Sequence, residues 1–146
     1  MIYFNEISIN YKPLLPFLSM KPITSSLDAS ELFRQFWSDK IAYKEEFYIM
    51  LLNQANIPIG ISKISEGGLA GTVVDVKNIF QTALKANAAA IILSHNHPSG
   101  NLKPSDQDIT LTNKIREGGK LMDMRILDHI ILSFDGYKSL SDEGYM

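Results

Sequence analysis

The chain has 146 residues, enough for one domain of ordinary size that buries about 70% of its unfolded surface. Its 45% hydrophobic and 21% charged residues are those of a globular protein and exclude a disordered, collagen-like or repeat-array chain. Fourteen Lys and Arg against 16 Asp and Glu leave a formal net charge of −2, which excludes a general electrostatic grip on nucleic acid, and the absence of cysteine excludes disulfides, thiolate metal sites and a cysteine nucleophile.

In chain order, residues 1–21 read as a short alternating edge strand followed by an arm carrying Pro13 and Pro16, and residues 22–146 as the domain proper. Ser25, Ser26 and Asp28 offer a helix start, and Leu32, Phe33, Phe36 and Trp37 recur at helical spacing as one apolar stripe up to about Asp39. Residues 47–52 form a continuous apolar run, read as a buried strand, and 59–64 alternate as its returning partner after a turn at 53–56. A short strand is expected around 72–74. Asp75 then caps a helix with Val76, Ile79, Phe80, Ala83 and Leu84 on one side. Residues 89–93 read as a second buried strand and 94–104 as an irregular polar segment. A helix from Ser105 to about Glu117 is expected to stop at Gly118 and Gly119, and 125–133 form a strand that turns at Asp135 and Gly136 into a last short one. The alternation of strands and helices predicts a mixed sheet with helices packed on it. No apolar run approaches membrane-spanning length and no export signal is visible, so a cytoplasmic protein without membrane contact is expected.

The chemistry concentrates in residues 94–108, which hold two of the three histidines. Residues two apart on an extended backbone point the same way, so His95 and His97 can place both imidazoles at one point. Pro98 keeps His97 extended, and Gly100 permits the turn that returns the chain toward Asp108. Two imidazoles and a carboxylate leave a fourth tetrahedral position for water, the arrangement of catalytic zinc. Such a site needs a base, and Glu45 or Glu46, at the entry to the first buried strand, can supply one; being adjacent they face opposite ways, so only one serves. A different reading stands beside this one. Ser105 and Asp108 have the spacing of a helix capping box, which needs no metal. Glu45 and Glu46 can be solvated, Ser94, Asn96, Ser99 and Asn101 can be loop residues, and His129 reads as a buried hydrogen-bonded histidine.

His95-x-His97-Pro98 followed by Ser105-x-x-Asp108, with an acid about 50 positions upstream, resembles the JAMM motif of MPN/JAB1 metalloproteases, and His-Asn-His-Pro-Ser-Gly resembles the RadC-like branch of bacterial JAB proteins. The likeness covers roughly residues 22–144. It implies an α/β MPN/JAB1, or cytidine deaminase-like, sandwich whose mixed sheet is flanked by helices. It further implies zinc (Zn2+) as cofactor with His95, His97 and Asp108 as ligands, Glu45 as general acid/base with Glu46 as the alternative, and Ser105 as oxyanion donor. The activity implied is hydrolysis of amide or isopeptide bonds in a protein or peptide substrate. A non-catalytic binding module for protein or DNA partners in repair or mobile-element transfer is the alternative, and a metal-dependent nuclease a third. Longer RadC proteins carry an N-terminal helix-hairpin-helix-like region for which 146 residues are expected to leave no room, which weakens an inherited DNA role.

Overall fold

The computed structural model describes residues 20–67 and 73–146; the strand expected near the N-terminus lies outside them. Among the described residues the order is α1 (Ser26–Phe36), β1 (Glu46–Leu52), β2 (Pro58–Glu66), α2 (Val76–Lys85), β3 (Ala90–Asn96), α3 (Asp106–Leu121), β4 (Arg125–Leu132) and β5 (Tyr137–Ser139). The strands form one sheet in the order β2-β1-β3-β4-β5. Among the described strands only the β3–β4 pair is parallel, and α3 makes the crossover between its strands. The mixed sheet with helices is the α/β architecture expected from the sequence.

The two central strands, β1 and β3, are buried along their whole length because helices cover both faces. Phe47, Ile49, Leu51, Ile91 and Leu93 face α2 and Ile115 of α3, while Tyr48, Met50, Leu52, Ile92, Ile130 and Leu132 face Ala29 and Phe33 of α1. Each such side chain contributes about 1.5–3 kcal/mol of burial, so the sheet is fixed without help from the polar site at its end.

Several expected boundaries move. Helix α1 ends at Phe36, and Trp37 turns extended so that its ring packs 4.3 Å from that of Tyr48, leaving Phe36 exposed and outside the apolar stripe. Leu84 of α2 is likewise exposed. Thr72 lies outside the described residues, and Val73 and Val74 form no strand. β3 runs on through Ser94, His95 and Asn96, which stay in the ladder between β1 and β4 because each polar side chain finds a buried partner.

Helix α3 passes through both glycines and ends at Leu121. The glycines permit close approach. A Cβ on Gly119 would stand 2.6 Å from the carbonyl oxygen of Met124, and one on Gly118 would stand 2.8 Å from the ring of Phe80. Helix and returning strand can therefore pack backbone to backbone.

Candidate metal centre

The site forms where β3 ends and α3 begins, beyond the carboxyl end of a strand in a parallel pair, the place where α/β sheets present ligand sites. His95 alternates with Ile91 and Leu93 onto the α3 face of the sheet, where it is 2% exposed and stacks on Phe47. His97 leaves the strand with its N–H donating to Leu132 O at 2.8 Å, and the chain then turns at Gly100, whose φ of +82° suits glycine. Ser105 caps α3, its Oγ accepting from Asp108 N at 3.1 Å while Asp108 Oδ2 accepts from Ser105 N at 2.8 Å. The expected capping box is therefore present.

That box does not exhaust Asp108. Its Oδ1 lies 3.2 Å from His95 Nε2 and its Oδ2 lies 3.4 Å from His97 Nε2. The two Nε2 atoms stand 2.9 Å apart. His95, His97 and Asp108 thus each offer a ligand atom, all within 4.8 Å of one another. His97 Nδ1 is 2.6 Å from the carbonyl oxygen of Asn101, which can only accept, so the neutral ring carries its proton there and turns a bare Nε2 lone pair toward His95. Lone pairs and a carboxylate facing one point can hold a cation between them, and this N/O donor set would fit zinc. The hydrogen bond to Asp108 raises the pKa of His97, with burial opposing it, and the charge of Glu45 adds to the rise. Burial tends to raise the pKa of Asp108, but its bonds to His95 and His97 outweigh this and hold the carboxyl well below the usual range.

Glu45 and Glu46 separate at the strand entry. Glu46 is fully buried on the α1 side of the sheet, where Oε2 accepts from Ser38 Oγ at 2.6 Å and Oε1 from Lys63 Nζ at 2.8 Å. Glu45 precedes β1, shares the parity of Phe47, and is half-buried with its charge felt at His97. Its neighbourhood is fixed by Asn96, a residue readable from sequence as loop. Fully buried between the two histidines and facing the other way, Asn96 accepts from Glu46 N at 2.7 Å and donates to the carbonyls of Ile41 and Lys44 at 2.8 Å each. The backbone on both sides of Glu45 is thereby tied to the strand that carries His95. A buried amide on a strand covered on both faces must find partners, and that is the signal in the sequence that would have identified it.

His129, on β4, is fully buried as a hydrogen-bonded histidine, 2.8 Å from His95 Nδ1 through Nε2 and 2.6 Å from Thr112 Oγ1 through Nδ1. Burial, reinforced by the neighbouring His95, lowers its pKa well below the ordinary value and keeps it neutral. Thr112 drew no notice in the sequence because a threonine inside a helix signals nothing until its neighbour across the sheet is known.

The RadC-like JAB domain family model matches residues 23–145. Similar proteins include UPF0758 proteins of Flavobacterium johnsoniae, 42% identical over 127 residues, and of Porphyromonas gingivalis, 41% identical over 125 residues. A UPF0758 protein of Staphylococcus haemolyticus is 40% identical over 123 residues. These alignments cover 87%, 85% and 84% of this chain but 55%, 54% and 53% of the relatives, so the chain spans about half the length of the curated relatives it matches. With the match running through both sheet faces and the histidine–aspartate cluster, the chain belongs to the RadC-like JAB domain family.

Proposed function

We propose that this chain is a zinc-dependent hydrolase acting on amide or isopeptide bonds of a protein or peptide substrate. The observation that carries the reading is the convergence of His95, His97 and Asp108 at the open end of β3. A zinc ion held by those three residues would supply Lewis acidity to a scissile carbonyl and to water. Glu45, outside the ligand set, takes the proton from the attacking water and delivers it to the leaving amine. Ser105 Oγ accepts from Asp108 N, so its own hydroxyl proton is left to donate to the oxyanion that develops on the carbonyl. Glu46, held by Ser38 and Lys63, does not take part.

Metal analysis and peptide-library digestion test the scheme together. Purified protein supplied with zinc is expected to hold about one ion per chain, and His97→Ala to lose it while keeping its far-UV circular dichroism. Glu45→Gln is expected to keep the zinc and lose cleavage by at least about a hundredfold, the scale of general acid–base catalysis. Absence of bound zinc at neutral pH sinks the reading. Bound zinc without cleavage leaves a non-catalytic partner-binding module, and cleavage of DNA instead of peptide makes the chain a nuclease.

A further inference from the structure

A threonine hydroxyl has one proton to give. That of Thr112 lies 2.6 Å from the main-chain oxygen of Asp108, an atom that can only accept, so the proton goes there. Thr112 Oγ1 is also 2.6 Å from His129 Nδ1, and with its proton committed it can only accept, so Nδ1 of His129 must carry a hydrogen. A fully buried imidazole is costly to charge, so the other nitrogen of His129 is bare. That nitrogen, Nε2, is 2.8 Å from His95 Nδ1, which must then be the donor. The proton of His95 is therefore on Nδ1, and its Nε2 lone pair is free, facing His97 and Asp108.

From this chain of hydrogen bonds we infer that Thr112 and His129 are positioning residues that fix the tautomer and ring orientation of His95 for metal binding. The inference rests on the reading of His95 as a metal ligand. The relay begins on the main chain of Asp108 and ends on the ring of His95, so it locks two members of the cluster to each other through α3 and β4. Phe47 closes the remaining side, its ring stacked on His95 at 6.2 Å and edge-on to His129 at 5.5 Å. Neither Thr112 nor His129 belongs to the set that converges on the metal position. An imidazole acts here in the role that a carboxylate or carbonyl usually plays behind a ligating histidine.

The experiment reads the tautomers directly. Long-range proton–nitrogen NMR spectra of the metal-free wild-type chain, at mildly alkaline pH, are expected to show His95 and His129 both protonated on Nδ1. Zinc affinity, measured against a competing chelator, is expected to fall roughly tenfold or more in Thr112→Val. Thr112→Ser, which keeps the hydroxyl, is expected to restore the affinity and the His95 tautomer, as a purely structural role for the threonine methyl would not. A His95 proton on Nε2 in the wild type overturns the inference without recourse to any variant, as does Thr112→Val with wild-type affinity and tautomer. Zinc uptake with these tautomers but no peptide cleavage supports the relay and refutes only the hydrolase, whereas a wild type that takes up no zinc removes the ligand reading and the relay with it.

Discussion

Asp108 shows how one side chain can satisfy two readings of the same motif. A carboxylate has about four lone-pair positions; Asp108 uses one on the Ser105 amide at 2.8 Å and turns both oxygens toward the histidines at 3.2 and 3.4 Å. The spacing Ser105-x-x-Asp108 was legible as a capping box or as a ligand, and sequence alone could not decide because the geometry permits both at once. The same cluster fixes a pH dependence. A zinc ion bound there would compete with a proton for the Nε2 lone pair of His97, whose pKa is raised chiefly by its bond to Asp108. A folded-state pKa above the unfolded value means that protonated His97 stabilises the metal-free fold at low pH, and that this contribution is lost as pH rises through the folded pKa. Metal binding runs the other way: it is expected to strengthen as pH rises through that raised value, with about one proton released per zinc from this residue. Chelator competition at a series of pH values measures it, and an affinity unchanged between acid and neutral pH would contradict the placement of His97 in the ligand set.

At the scale of elements, the strands and helices were legible where periodicity and burial coincide and misread where a residue serves packing rather than local conformation. The apolar run 47–52 reads as a buried strand because helices cover both of its faces, and Asp75 reads as a cap because its side chain accepts from Lys77 N. Gly118 and Gly119 read as a helix stop, yet α3 continues through them, since what they accommodate is Phe80 and the Met124 carbonyl on other elements. That requirement is tertiary and leaves no local trace. It also predicts opposite outcomes for a residue that normally favours helices. Alanine gains about 1 kcal/mol over glycine in a helix interior, but Gly119→Ala would set a Cβ 2.6 Å from the Met124 backbone oxygen, an atom held by the chain, and 3.1 Å from Ile126 Cγ1. Urea denaturation is expected to show a net loss of about 2 kcal/mol, in the range of overpacked cores. Stability equal to wild type would mean that α3 and the Met124 backbone are not in contact.

The strand order of the whole molecule was not legible, because β3 pairs with β1 and β4 across long stretches of chain and no local pattern reports which strands become neighbours. That order nonetheless decides how the fold and the metal depend on each other. The cluster sits at one end of a sheet whose two apolar faces are each covered by helices, and of its members only His95 is buried, bordering one core where it stacks on Phe47. Among the described residues no helix is long and apolar enough to cross a membrane. A domain built this way is expected to fold on hydrophobic burial before any metal binds, unlike small domains in which ligation itself supplies the folding energy. Stripping the metal with a chelator is therefore expected to leave a cooperative thermal transition and an unchanged far-UV spectrum. Returning zinc at about a hundredfold excess over Kd adds about 2.7 kcal/mol by mass action, which for a domain of this size raises Tm by about 5–10 °C. Differential scanning calorimetry of the stripped and reloaded protein measures both; loss of the transition on chelation would show instead that the metal holds the sheet and helix α3 together.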